Sequence, residues 1–173
     1  MAKNGPFGLS VLLNNGNGTF AEQETVDTGG GPSSVAIGDL DGDGDNDLVL
    51  TFAAGHVMSV LSNRGDATFA GQLMLEAGEG PESVALGDVD GDGDNDLAVA
   101  NRQSHNVSVL LNNGDGTFAT HTTYKVGSYP GSIVMADLDG DGDIDLAVGV
   151  TNAVVNNSIT GAVTVLRACP VNS

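Results

Sequence analysis

A nine-residue acidic pattern occurs three times at a fixed interval, and that interval limits the fold more than any other feature. Asp39-Leu40-Asp41-Gly42-Asp43-Gly44-Asp45-Asn46-Asp47 returns as Asp88-Val89-Asp90-Gly91-Asp92-Gly93-Asp94-Asn95-Asp96 and as Asp137-Leu138-Asp139-Gly140-Asp141-Gly142-Asp143-Ile144-Asp145, with first aspartates 49 residues apart. The period extends beyond the acidic runs. Ser10-Val11-Leu12 recurs as Ser59-Val60-Leu61 and Ser108-Val109-Leu110, and Asn14-Asn15-Gly16-Asn17-Gly18-Thr19-Phe20 recurs at 63–69 and 112–118. Gly31-Pro32-Ser33-Ser34-Val35-Ala36 recurs at 80–85 and more loosely at 129–134. A single repeat of 40–50 residues cannot bury its own apolar face, so neighbouring copies must stack. Repeats of this length built from short strands make propellers and related arrays.

Each period divides into four short strands. In the first full copy, one leads into the acidic run, one leaves it at 47–52, a third covers 57–61, and a fourth begins at Thr68-Phe69. Asn-Gly and Asp-Gly pairs in the connection before the fourth strand are hairpin signals. The chain is therefore predicted to be all-β, one repeat domain over 1–173, made of four-stranded antiparallel propeller blades, about 3 to 3.5 per chain. Residues 8–28 supply a two-strand partial blade, 33–78 and 83–127 whole blades, and 131–168 a three-strand partial blade with a seven-residue insertion within 151–161. A closed propeller has at least four blades of four strands, and an unpaired sheet edge invites association. Two copies are accordingly expected to complete one ring as a homodimer.

Aspartates at alternate positions bring carboxylates together, which is costly unless a cation neutralises them. Ca²⁺ accepts six to eight oxygen ligands in flexible geometry. Side chains at positions 1, 3, 5 and 9 with the carbonyl of position 7 can wrap one ion, and glycines at positions 4 and 6 permit the positive-φ turns this requires. The predicted ligands are Asp39, Asp41, Asp43, Asp45 and Asp47; Asp88, Asp90, Asp92, Asp94 and Asp96; and Asp137, Asp139, Asp141, Asp143 and Asp145. An EF-hand needs Glu at position 12 between helices. Leu50, Val99 and Val148 stand there instead, within apolar runs that read as strands. The expectation is three structural calcium sites.

The net charge is −18, and 15 of the 23 acidic residues lie in the three loops. Three divalent ions would return six charges. Five Lys and Arg in all offer no basic patch, which argues against nucleic acid. No run approaches the ~18–20 apolar residues of a membrane span, and no apolar signal region is visible at the start. Cys169 is the one cysteine and reads as a free thiol. Calcium loops of modest affinity place the expected setting outside the cell, on its surface, or in a periplasm.

The Gly-Pro before strand one, the Asp-x-Asp-Gly-Asp-Gly-x-x-Asp-Leu loop and the Asn-Asn-Gly-Asp-Gly-Thr-Phe hairpin together resemble the FG-GAP/VCBS repeat family. Calcium-binding blades of integrin α-subunit propellers belong to that family. The resemblance covers roughly residues 8–168 and implies a propeller with ions held between the first and second strands of each blade. The Phe-Gly and Gly-Ala-Pro signatures of the integrin type are degenerate here, which places the chain nearer the bacterial-type VCBS branch.

Other candidates carry less. His56 and His105 are equivalent turn positions, but the third copy has Val154 there, and His121 has no counterpart; all three read as ordinary turn residues. Arg64-Gly65-Asp66 sits in a hairpin where the other copies have Asn15-Gly16-Asn17 and Asn113-Gly114-Asp115, so one Asn-to-Arg change accounts for it. The glycosylation-like triplets at 17–19, 106–108 and 156–158 read as turns without sugar. No nucleophile, base pair or phosphate-cradling loop is visible, so no catalytic residue is predicted. The functional expectation is a non-enzymatic, calcium-stabilised binding or adhesion module for an extracellular protein or glycan. Its alternatives are an accessory or catalytic propeller of a polysaccharide-degrading enzyme, which would draw on the 151–161 insertion, and a structural segment of a large surface protein. The absence of Trp, with Tyr124 and Tyr129 the only tyrosines, weakens a lectin role.

Overall fold

The structure, a computed structural model, describes residues 8–155 and 158–167; Cys169 and part of the 156–158 triplet lie outside them. The backbone gathers into two compact units, Met1–Pro32 and Ser33–Ser173. In the first, β1 (Gly8–Val11) pairs antiparallel with β2 (Glu24–Asp27), with Leu9 opposite Val26. Between them an Asn14–Phe20 bridge closes a hairpin, held by Asn15 N to Thr19 O at 2.9 Å and Ala21 N to Leu13 O at 2.7 Å.

The second unit holds three sheets, each a simple antiparallel meander. The first is β3 (Ser34–Gly38), β4 (Asp47–Phe52), β5 (Val57–Asn63) and β6 (Phe69–Glu76). The second is β7 (Pro81–Gly87), β8 (Asp96–Asn101), β9 (Asn106–Leu110) and β10 (Thr122–Lys125). The third is β11 (Ser128–Ala136), β12 (Asp145–Val155) and β13 (Ser158–Leu166). All thirteen elements of the described residues are strands. The insertion in the last copy lengthens the β12–β13 ladder, which continues through Ala153 opposite Thr160 to Val155 opposite Ser158 after a register shift. Its described residues add to a hairpin.

Burial follows strand position within a blade. β8 is buried along its whole length and β4 over all but its last residue, whereas β10 is exposed throughout. A second strand with a sheet packed against each face needs apolar side chains on both, so Asp-Leu-Ala-Val-Ala-Asn runs near-continuously apolar and does not alternate. Leu40, Val49, Met58 and Val60 of the first sheet pack with Val84, Leu97, Val99 and Leu110 of the second. One repeat later, Ala98, Ala100, Val107 and Val109 pack with Ile133, Leu146, Val148 and Val150.

Small hydroxyls tie adjacent first strands together. Ser34 Oγ accepts Val84 N at 3.4 Å, Ser83 Oγ accepts Ile133 N at 3.4 Å, and Ser33 Oγ donates to Pro81 O at 2.7 Å. His56 and His105 do more than the sequence suggested. Both hold left-handed backbone at φ 55°, where His is among the tolerated residues. His56 Nδ1 accepts Gly80 N at 3.1 Å and His105 Nδ1 accepts Tyr129 N at 3.0 Å, so each imidazole latches its blade to the next. The Tyr129 ring meets that of His105 edge-on at 4.6 Å.

Candidate metal centres

Each acidic run connects the first and second strands of a blade, and one hydrogen-bond pattern shapes all three. The carboxylate at position 1 organises the loop. Asp39 accepts Gly42 N at 2.9 Å and Gly44 N at 3.0 Å; Asp88 accepts Gly91 N at 2.7 Å and Gly93 N at 2.9 Å; Asp137 accepts Gly140 N at 2.7 Å and Gly142 N at 3.1 Å. The glycines at positions 4 and 6 all have positive φ, from 75° at Gly42 to 97° at Gly93 and Gly142, as the expected wrap demands. At position 5 the carboxylate caps the next turn: Asp43 accepts Asp45 N at 2.8 Å, Asp92 accepts Asp94 N at 2.9 Å and Asp141 accepts Asp143 N at 3.0 Å.

Carboxylate oxygens converge to within 4.8 Å of one another in three groups: Asp39, Asp41 and Asp43; Asp88, Asp90 and Asp96; Asp137, Asp139 and Asp145. Asp47, Asp92 and Asp141 stand in the same loops outside these groups. Asp45 and Asp94, at position 7, turn toward the hairpin of their own blade, where a Cβ on Gly65 or Gly114 would stand 2.7 or 2.5 Å from a carboxylate oxygen. In these two loops position 7 therefore has its backbone carbonyl, not its side chain, to offer a cation; Asp143 holds the equivalent position in the third.

Position 9 carries a role the sequence did not disclose. Asp47, Asp96 and Asp145 are 1 %, 0 % and 2 % exposed. Asp47 accepts Leu40 N at 3.1 Å and Asn63 N at 2.8 Å; Asp96 accepts Val89 N and Asn112 N, both at 2.8 Å; Asp145 accepts Leu138 N at 3.1 Å. In the first two loops this buried carboxylate clasps the acidic loop to the end of the third strand. Burial pushes the carboxyls of Asp47 and Asp96 above their ordinary range; the backbone N–H donors oppose this, and the neighbouring loop aspartates add to it. The donor set is all oxygen and strongly anionic, and Arg167 to Asp139 at 3.1 Å is the one ion pair among the described residues. A hard divalent cation fits these loops.

The 112–118 hairpin lies against the first loop. Asn112 Nδ2 donates to Leu40 O at 2.8 Å and to Asn95 O at 3.0 Å, and Phe118 packs on the core between the first two sheets. A cavity of about 290 Å³ occupies the corresponding place between the second and third sheets. Val89, Val109, Tyr124, Leu146 and Leu166 line it where Leu40, Val60, Leu75, Leu97 and Leu110 stand one repeat earlier, and Arg167 borders it too.

Arg64, Gly65 and Asp66 are exposed at a hairpin tip. Asp66 is engaged in that turn, accepting Thr68 Oγ1 at 2.6 Å and Thr68 N at 2.9 Å, which holds its carboxyl below the usual range. Asn17 accepts the same two donors from Thr19, so the geometry belongs to the repeat.

The family described as FG-GAP-like repeat matches residues 3–50, 49–99 and 88–148. No curated protein matches the chain. Among solved structures, the chain is similar to an Agrocybe aegerita lectin described for specific recognition of non-reducing terminal N-acetylglucosamine, at 23% identity and TM-score 0.57 over 92% of this chain. It is also similar to the Photorhabdus luminescens Tc holotoxin pore, at 23% identity and TM-score 0.53 over 93% of this chain. It spans 46% of the lectin chain and 8% of the toxin chain. Among the described residues no helix is long and apolar enough to cross a membrane.

Proposed function

Because the chain belongs to the FG-GAP-like repeat family, we propose that it is a non-enzymatic binding module, with calcium-stabilised blades, working outside the cytosol on a protein or glycan ligand. One observation carries the calcium reading: three loops that share one hydrogen-bond pattern each bring three carboxylates within 4.8 Å of one another. In each loop the side chains at positions 1 and 3, together with position 5 in the first loop and position 9 in the other two, would hold the ion, joined by the position-7 carbonyl. Bound calcium supplies positive charge that offsets the convergent carboxylates. The chain's own contribution is the shape of the loop, set by the position-1 and position-9 hydrogen bonds.

The binding reading draws on the lectin-like neighbour and on the 290 Å³ cavity, whose apolar wall, half-exposed Tyr124 and guanidinium of Arg167 suit a sugar ring or a protein side chain. A catalytic role would have to draw on the 151–161 insertion, whose backbone continues a hairpin ladder.

Extracellular calcium modules bind at roughly 10⁻⁴–10⁻³ M. A 10⁻⁴ M site at about 2 mM calcium contributes about 1.8 kcal/mol, and three such sites about 5 kcal/mol, comparable to the whole stability of a small domain. The melting temperature should therefore fall on chelation. A thermal melt unchanged between 2 mM calcium and excess EGTA would refute the calcium reading. Glycan and protein arrays probed with wild type and with Tyr124→Ala test the cavity: loss of the wild-type signal supports it, and a signal indifferent to the substitution moves the ligand elsewhere.

A further inference from the structure

The repeat sets equivalent residues at one point of every blade, so a position buried in one copy and open in another marks a face without its neighbour. Leu40 and Val60 are 2 % and 4 % exposed, packed in one cluster with Leu110 and Phe118 of the following blade. Their equivalents in the last blade, Leu138 and Val165, are 48 % and 45 % exposed. Val163 beside them is 66 % exposed, although Met58 and Val107 at its position are both fully buried. The complementary half of the contact sits in the N-terminal unit. Leu12 and Phe20 occupy the positions of Leu110 and Phe118 and are 51 % and 58 % exposed. Both halves of a blade contact are thus present on one sequence, each exposed.

We propose that these halves bind each other between copies. The N-terminal unit of one copy packs head to tail on the last blade of a second, Leu12 and Phe20 meeting Leu138 and Val165 as Leu110 and Phe118 meet Leu40 and Val60. A polar contact accompanies them. Asn112 Nδ2 donates to Leu40 O at 2.8 Å while its Oδ1 accepts Gly114 N at 3.1 Å. Asn14 makes the same turn, accepting Gly16 N at 2.8 Å, which directs its amide to the Leu138 carbonyl of the neighbouring copy. The occupant is a second copy because the surface repeats a contact the chain already makes and its counterpart is on the same sequence. The faces differ, so the interface is heterologous and closes when the rotation allows. The described residues of two copies, four sheets each, bring eight, within the range of propeller rings.

Light scattering on wild type, Phe20→Glu, Val165→Glu and an equimolar mixture of the two variants tests this, with calcium present and a reductant keeping Cys169 from cross-linking. Both side chains are exposed, so unchanged circular dichroism establishes that each variant folds. The wild type is expected at twice the 17.3 kDa chain mass and each variant alone at the single mass. The mixture is expected to recover the doubled mass, because Val165→Glu keeps Phe20 and Phe20→Glu keeps Val165. A monomeric wild type, a variant that still pairs, or a mixture that stays monomeric where the wild type is fully dimeric overturns the proposal.

Discussion

Replacing Asp90 by asparagine should stabilise the chain without calcium and destabilise it with calcium. Most neighbours of Asp90 serve the loop itself: Asp88 accepts the N–H groups of Gly91, Asp92 and Gly93, and Asp96 accepts those of Val89 and Asn112, so substituting either would break the loop. Asp90 takes part in none of these bonds, yet its charge is among those raising the Asp96 carboxyl. Asp90 lies within 4.8 Å of both Asp88 and Asp96, and each pair repels by about 0.9 kcal/mol at the dielectric constant of water, which applies because Asp90 is exposed. The two pairs sum to about 1.7 kcal/mol, which salt near 0.1 M screens to about 1 kcal/mol. In EGTA the substitution should therefore raise stability by about 1 kcal/mol, or roughly 2–4 °C in melting temperature for a chain of this size. At about 2 mM calcium a lost site removes about 1.8 kcal/mol, leaving the variant below wild type by about 0.8 kcal/mol. Paired thermal melts of both proteins in both conditions read the difference directly. An equal shift in calcium and in EGTA would show that the carboxylate serves no cation.

Two further outcomes follow from hydrogen bonds described above. His105→Ala removes the acceptor for Tyr129 N and should lower stability by about 1 kcal/mol, with amide exchange at Tyr129 accelerating while that at the equivalent Gly80 does not. Equal acceleration at both amides would mean that the latch is not local. Asp115 is held below the usual carboxylate range first by the hydroxyl of Thr117, so Thr117→Val should raise it toward the ordinary value in an NMR titration. A depressed carboxyl contributes stability above its unfolded value and loses it as the pH falls through the folded one. That contribution should shrink in the variant, and an unmoved Asp115 titration would count against the hydroxyl as the cause.

Much of this was legible in the sequence because the period reports itself. Alternation and turn residues set the strands, and the positive φ values at Gly42, Gly44 and their equivalents follow from the acidic pattern. What escaped lies between repeats. The His56 and His105 latches reach 24 residues ahead, and the Ser34–Val84 bond spans 50; no local propensity encodes such partners. The repeated histidine was itself a signal, since a left-handed turn position admits few side chains. The insertion at 151–161 was visible as extra length, but its absorption into the β12–β13 ladder depends on pairing that length alone cannot specify. Position 9 is a ligand candidate from sequence because it is an aspartate in register. Its second duty, clasping Asn63 N or Asn112 N, required knowing where the third strand ends.

Asn112 bridges two acidic loops at once, its amide nitrogen reaching the Leu40 carbonyl in the first and the Asn95 carbonyl in the second, while Asn95 Nδ2 reaches back to the Asp39 carbonyl at 3.0 Å. The first two loops are thus mechanically coupled, and ordering either one restrains the other. The third loop has Ile144 where Asn95 stands, and an isoleucine has no donor to send to Asp88. On the calcium reading proposed above, occupancy should accordingly be cooperative across the first pair and independent at the third loop, and a calorimetric calcium titration should resolve a coupled pair plus a separate site.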